Sequence, residues 1–234
     1  VSDLDQPVAR SAFFDKLAED WSPTHYGPHG GMVPRIARFA GALENLVPPP
    51  GDVLDYGCGT GDIAAALAGR GYRVEGRDMS PKMIEQACAI HAGAGVRFAV
   101  ISPASVGKDV MPGEQAFDAI VCSSVLEYLH DLPVSLRLLV GALKPGGWLL
   151  ATVPDVHHSV RRGEAWHRAL MGNKMLRALI RRTPKGETYE LQWLSRNRFP
   201  ISEWAKLFRA AKLQPVWRDC EDHPLTLLIG RRCL

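Results

Sequence analysis

The run Val53-Leu54-Asp55-Tyr56-Gly57-Cys58-Gly59-Thr60-Gly61 constrains this chain more than any other stretch of it. A short apolar strand runs directly into three glycines at alternate positions. Asp62 to Arg70 then reads as a helix of small residues closed by Gly71. Glycine reaches positive φ without a Cβ penalty and lets a ligand approach the main chain closely. The unpaired N–H groups at the start of the next helix can hold a polar group there. Strand, glycine turn and helix in this order mark an α/β unit whose ligand site lies at the carboxyl end of the sheet. A bare tight turn, or the nucleotide loop of another enzyme class, would carry the same glycines, so the neighbouring residues must decide.

The alternation continues down the chain. Tyr72 to Arg77 is a second strand, and Ser80-Pro81 is an N-cap followed by proline at the first helical position. The helix it opens runs to about His91. Val96 to Ile101 and Phe117 to Cys122 are the third and fourth strands. A helix from Leu132 to Leu143 stops at Lys144-Pro145-Gly146-Gly147, and Trp148 to Val153 is the fifth strand. A helix from Ser202 to Ala211 precedes Pro215-Val216-Trp217 and Leu225 to Ile229, which pair antiparallel across a tight connection at His223-Pro224. The pattern predicts an α/β, Rossmann-like, mostly parallel seven-stranded sheet with helices on both faces and an antiparallel last strand.

Upstream, residues 8–20 read as a short helix (Val8, Phe13, Phe14, Leu17) and Trp21 to Gly31 as a loop. A second helix runs from Pro34 to Leu46, ended by Pro48-Pro49-Pro50-Gly51. Residues 156–200 fit no strand–helix unit and are expected to form an insertion over one end of the sheet.

Composition narrows the class. With 234 residues, 46% hydrophobic and 23% charged, the chain is an ordinary single globular domain. A net charge of +3 does not by itself call for nucleic acid. No apolar run nears the roughly 20 residues of a membrane span. Asp3, Asp5, Asp15, Glu19 and Asp20 stand where a signal peptide would be basic and then apolar, so a cytoplasmic location is expected. The five cysteines form no CxxC pair, which argues against a disulfide framework or a zinc site, and no metal is expected.

Two details sharpen the glycine loop. In dinucleotide-binding loops the third glycine falls three residues after the second; here that place is Asp62, and the glycine comes one residue early. Asp55, two residues before Gly57, can approach an ammonium group but would repel a pyrophosphate. No Lys-Ser or Lys-Thr follows, so the P-loop pattern fails. Asp78, at the end of the second strand and 17 residues beyond Gly61, can accept the hydroxyls of a ribose.

These residues resemble the motifs of class I S-adenosylmethionine-dependent methyltransferases of the small-molecule type. Val53 to Gly61 is similar to the first motif, and Gly76-Arg77-Asp78-Met79-Ser80 to the second-strand motif. Phe117 to Cys122 with Val125-Leu126-Glu127-Tyr128-Leu129 resembles the fourth-strand region, and Leu143 to Leu150 the turn before the fifth strand. The resemblance implies S-adenosylmethionine as donor, with S-adenosylhomocysteine as product. It places Gly57, Gly59 and Gly61 against the donor, with Cys58 between them, and Asp55 near its methionine end. Asp78 would take the ribose hydroxyls, Met79 would pack on adenine, and Ser123 would line the methionine side. The acid such enzymes often carry after the third strand is missing, leaving Ser102 for the adenine contact.

The segment Phe13 to Trp21 is similar to the start of small-molecule methyltransferases, including those of quinone biosynthesis, where it folds over the donor. Trp21 and Tyr26 would then close the pocket. The expected organisation is one domain, 1–234: a helical lid (1–50), a donor-binding core (51–155), a helical insertion over the acceptor site (156–200) and a C-terminal helix with strands (201–234).

Methyl transfer to a hydroxyl needs a base, and histidine suits that near neutral pH. His157 and His158 follow the fifth strand on the ligand side and are the candidates, ahead of His167 and His130. Residues 156–186 hold eight basic residues and one acid, Glu164. On one helix from Trp166 to Arg182, Leu170, Leu176, Leu179 and Ile180 would form an apolar side and Lys174, Arg177 and Arg181 a basic edge. That edge is either a solvated face or the complement of an anionic acceptor, a carrier-bound substrate or an acidic membrane surface touched peripherally. Without interleaved aromatics, nucleic acid is not expected. The sequence leaves the oligomeric state open. The functional readings are a small-molecule O- or N-methyltransferase, an NAD-dependent oxidoreductase, and a donor-binding protein without turnover.

Overall fold

The computed structural model describes residues 7–101, 115–183, 185–218 and 223–234. Two helices, α1 (Pro7–His25) and α2 (Val33–Glu44), precede β1 (Asp52–Tyr56), α3 (Asp62–Ala68), β2 (Arg73–Asp78), α4 (Pro81–Ile90) and β3 (Arg97–Val100). Then come β4 (Phe117–Cys122), a 3-10 turn (Leu126–Tyr128), α5 (Leu132–Ala142) and β5 (Leu143–Pro154). Three helices follow, α6 (Ser159–Met171), α7 (Lys174–Ile180) and α8 (Gly186–Leu194), and then α9 (Ile201–Ala210), β6 (Leu213–Arg218) and β7 (Leu225–Arg232).

The sheet order is β3-β2-β1-β4-β5-β7-β6, with β7 antiparallel to both neighbours and every other pairing parallel. This is the seven-stranded, mostly parallel sheet that the strand–helix alternation predicted. Period-two alternation splits its side chains between two cores. Leu54, Ile120 and Leu149 face α5 and α9 beside Leu136, Trp204 and Phe208. Val53, Val121 and Leu150 face α2 and α3 beside Phe39, Leu43 and Ile63. β1 and β4 are neighbours, with the chain fanning out in opposite directions from them. The crevice at their carboxyl ends is the topological switch point, where open α/β sheets bind ligands.

Three expectations change. Trp21 to His25 belongs to α1 rather than to a loop, although Pro23 lies inside the helix. Trp21 and His25, one turn apart, meet edge to face with ring centroids 4.4 Å apart, and Ser22 Oγ ties this turn to Asp62, contacts that offset the missing proline N–H. β5 already begins at Leu143, paired to Phe117, and passes an irregularity before regular pairing resumes at Trp148. The single helix from Trp166 to Arg182 is two helices. Asn173 breaks it, its Oδ1 accepting the N–H groups of Met175 (3.0 Å) and Leu176 (3.2 Å) as a new N-cap. The faces change with it: Arg177 is 8% exposed and lies over the Trp193 ring, whereas Leu179 points outward.

The insertion is fastened to the core by polar contacts. Asn197 Nδ2 donates to the carbonyls of Leu126 and Leu129, both at 2.8 Å. The Ser195 hydroxyl donates to the buried Glu127 carboxylate, and Arg168 donates to the carbonyls of Gln192 and Ser195. The cost of ordering this helical excursion is thereby offset in part by charge-assisted bonds.

Candidate active site

A cavity of about 340 Å³ opens at the switch point. Its floor is the glycine loop. Gly57, Gly59 and Gly61 have φ of 76°, 55° and 82°. A Cβ on Gly57 would stand 2.3 Å from Val125 Cγ2, and one on Gly61 would stand 2.6 Å from Phe98. The loop is held from below, since the N–H groups of Gly57 and Cys58 both donate to the Arg77 carbonyl, at 2.7 and 3.0 Å.

Asp78 braces the loop from the side. Its Oδ2 accepts from the Gly59 N–H at 3.0 Å and its Oδ1 from the Ser80 N–H at 2.8 Å. Burial raises its pKa, and these backbone donors pull the other way. Asp55 is only 1% exposed, and its oxygens have no side-chain partner among the described residues, the Ala64 backbone alone favouring its charged form. Burial, then the neighbouring Asp78, pushes its carboxyl up to about 7. A buried acid left in this state calls for a cationic donor group from outside the chain.

Arg35, on α2, supplies the opposite charge. Its Nη1 donates to Ser124 Oγ at 2.9 Å, it lines the cavity, and burial lowers its pKa. Among the described residues no carboxylate pairs with it. Ser123 and Tyr26 lie at the same end; burial raises the Tyr26 pKa, and a hydrogen bond with the Ser123 hydroxyl opposes that. Met79, Met83 and Ile101 line the cavity beyond Asp78.

α1 covers this floor. Trp21 Nε1 would lie 3.6 Å from a Cβ on Gly59. Ser22 Oγ donates to Asp62 Oδ1 at 2.7 Å, and Ser11 Oγ donates to the Met79 carbonyl at 2.8 Å. Asp15 Oδ1 accepts from Ser80 Oγ at 2.5 Å and from the Lys82 N–H at 3.1 Å, so it reinforces the N-terminus of α4. The far wall is apolar and aromatic, made by Phe14, Val125, Tyr128, Leu129 and Leu191. Arg161 and Arg198 line it too, both paired to the one carboxylate of Glu164.

The structure brings Asp55, Gly57, Cys58, Gly59, Asp78, Met79, Ser123, Trp21 and Tyr26 to one cavity. Gly61 lies behind it, at the N-cap of α3. Ser102 lies outside the described residues. His157 and His158 are not among the lining residues: His157 is exposed, and His158 Nδ1 caps α6 by accepting from the Val160 N–H at 3.2 Å. The histidines on the cavity wall are His25 and His130. Burial, then Arg35, lowers the pKa of His25. Sequence reasoning passed over Arg35 and His25. The signals were an arginine just inside a helix start, and a histidine one turn after Trp21.

The Asp55 carboxyl without a cationic partner, Arg35 without a carboxylate and the Cβ-free cradle at Gly57 fit the amino acid end of S-adenosylmethionine, and the Asp78 carboxylate fits its ribose. With this fold and site, the chain belongs to the methyltransferase domain family, whose model matches residues 29–217; it is an S-adenosylmethionine-dependent methyltransferase. The family match decides against the oxidoreductase reading. The chain is 29% identical over 225 residues to the ubiquinone biosynthesis O-methyltransferase of Paracidovorax citrulli, covering 93% of this chain and 87% of the relative. The fold is shared with the 1,6-didemethyltoxoflavin-N1-methyltransferase of Burkholderia thailandensis, solved with that acceptor and S-adenosylhomocysteine bound. There the TM-score is 0.61 at 19% identity, covering 97% of this chain and 91% of the other. The [4+2]-cyclase SpnF has the same fold with a TM-score of 0.71 at 14% identity, covering 98% and 97%.

Proposed function

We propose that this enzyme methylates a hydroxyl oxygen on a small, largely apolar ring compound. The observation that carries the reading is one continuous cavity with two unlike ends. At one end are the charges for a zwitterionic amino acid and a carboxylate for a ribose; at the other is an aromatic and aliphatic wall. The O-methyltransferase relative from ubiquinone biosynthesis supports an oxygen acceptor.

In this reading Asp55 takes the ammonium and Arg35 the carboxylate of the methionine part, while Ser123 lines it. Asp78 takes the ribose hydroxyls, and Met79, with Met83 and Ile101, flanks the adenine. The bound donor supplies an electrophilic methyl on a sulfonium whose charge disappears on transfer. The protein's work is orientation and water exclusion, which in favourable cases supply roughly 7–11 kcal/mol. Trp21 and Tyr26 close the cavity. His25, neutral at pH 7 because its pKa is lowered, removes the acceptor's proton at the cavity wall.

The test is methyl transfer from label-carrying S-adenosylmethionine into a cell extract separated into small molecules and macromolecules. Label in the small-molecule fraction is expected. Label in protein or RNA would overturn the acceptor class. Binding of the donor with no transfer to either fraction would favour a donor-binding protein without turnover.

A further inference from the structure

Arg161 and Arg198 reach the cavity wall from separate stretches, the first turn of α6 and the connection between α8 and α9. Their side chains are only 12% and 8% exposed. Glu164 is the acid they share. Arg161 Nη1 donates to both of its oxygens, at 3.1 and 2.9 Å, and Arg198 Nη1 donates to Oε2 at 2.5 Å. Each arginine is also anchored through Nε, Arg161 on the Pro224 carbonyl at 2.9 Å and Arg198 on the Ser195 hydroxyl at 3.0 Å. Arg161 Nη2 is left without a hydrogen-bond partner among the described residues, and Arg198 Nη2 has one long contact, 3.4 Å to the Gln192 carbonyl.

Two guanidinium groups on one carboxylate leave a positive charge over. Arg168 adds a third cation: burial, then Arg198, lowers its pKa to about 10, with Glu164 and Glu127 opposing. Three arginines thus stand against two acids, and charge withdrawn from water without a partner is costly. The basic edge that the sequence suggested takes no part, since Lys174 and Arg181 are exposed and are not among the lining residues. Beside the arginines lies ring surface. Burial, then Glu127, raises the pKa of the Tyr128 hydroxyl, while Arg161, Arg198 and Arg35 oppose that rise.

We propose that Arg161 and Arg198 form a carboxylate subsite, and that the acceptor is a hydroxylated ring compound bearing a carboxylate of its own. A guanidinium presents a planar edge of N–H donors that matches the two oxygens of a carboxylate, and the Nη2 atoms are the donors left to offer. Tyr128 and Leu191, on the same wall, take the ring. The proposal rests on the reading of the cavity given above and deepens it, because Arg35 holds the donor's carboxylate there and leaves Arg161 and Arg198 for the acceptor's. One negative charge on the acceptor restores the balance of the wall. It also offsets the positive sulfonium brought in by the donor.

The experiment is calorimetric titration of the full chain, saturated with S-adenosylhomocysteine so that Arg35 is occupied. The probes are 3-hydroxybenzoate and 4-hydroxybenzoate, each compared with phenol. At least one hydroxybenzoate is expected to bind about tenfold or more tighter than phenol, the scale of one charge-assisted hydrogen bond. Arg161→Gln should erase that difference and leave phenol as it was. Glu164→Gln should act in the opposite sense: with the internal carboxylate gone, the hydroxybenzoate binds tighter still, whereas a merely structural Glu164 would weaken both probes. Kept S-adenosylhomocysteine affinity shows that the variants are folded. Equal affinity for phenol and both hydroxybenzoates in the parent chain, or binding of none of them, overturns the subsite. A preference that survives Arg161→Gln also overturns it and seats the anion elsewhere. Failure of the parent chain to bind S-adenosylhomocysteine would instead overturn the donor reading beneath it, and turnover is read in neither case.

Discussion

Asp78 reaches back from the end of β2 to accept the N–H of Gly59 at 3.0 Å, so the acid proposed for the ribose also fixes the loop proposed to cradle the donor. Asp78→Ala is expected to weaken S-adenosylhomocysteine binding by about a hundredfold or more, since charge-assisted hydrogen bonds are worth roughly 1.5–3 kcal/mol each. It also orphans the Gly59 and Ser80 N–H groups, which lowers the melting temperature. Calorimetric titration and a melting curve read the two effects. Unchanged affinity would remove Asp78 from the donor site.

Asp55 makes a prediction in pH. Its carboxyl titrates near 7 in the folded protein against an ordinary 3.8. Between those values the native state holds a proton that the unfolded chain releases, so this group's contribution to stability falls as pH rises through that window. Asp55→Asn should therefore stabilise the free protein at pH 8, by about 1–3 kcal/mol, while abolishing donor binding. For the parent chain, donor affinity should strengthen from pH 6 to pH 8 as the carboxylate forms. A flat profile would show that no ammonium is held there.

Gly57 combines a positive φ with a Cβ position 2.3 Å from Val125 Cγ2. Gly57→Ala should cost about 1–2 kcal/mol for the left-handed backbone alone, with a steric penalty added. Trimming the neighbour in Gly57→Ala/Val125→Ala should recover part of the donor affinity lost in the single variant. No recovery would mean that the backbone, rather than the side-chain clash, sets the loss.

His25→Ala is expected to lower kcat by about 10²–10⁴-fold, with donor affinity little changed. Because a base works deprotonated and this pKa is lowered from 6.5, the parent enzyme's rate should rise with pH along a limb lying below 6.5. Steady-state rates across pH would show that limb vanish in the variant. If it persists, the proton leaves by another route, and His130 is the other histidine on the wall.

The sheet was legible because its strands are short apolar runs punctuated by glycine and proline, and because Ser80-Pro81 announces α4 in two residues. The donor end was legible for a related reason: a glycine turn leaves few residue choices. The insertion was not. Its helices make little of the sheet's core; their faces are set by single long-range contacts, such as Arg177 over Trp193 and Arg168 on the Ser195 carbonyl. The Asn173 cap was readable in principle, since Gly172-Asn173 is an ordinary helix stop and restart, but a sustained basic pattern across it read as one helix. Arg35 and His25 come from elements outside the strand–helix repeat, and only the folded chain brings them to the cavity.

The covering of Gly59 by Trp21 bears on timing. α1 is tied to the glycine loop's surroundings through Asp15, Ser22 and Ser11, so these ties are expected to slow the exchange of a bound cofactor. Asp15→Ala should shorten the residence time of S-adenosylhomocysteine by about tenfold, the scale of one charge-assisted bond, as read by stopped-flow displacement. On that outcome the helix is an escapement in the parent enzyme. If that shortening is seen, each catalytic cycle advances at the pace at which α1 lets the spent donor go, and an acceptor arriving early gains nothing until it does.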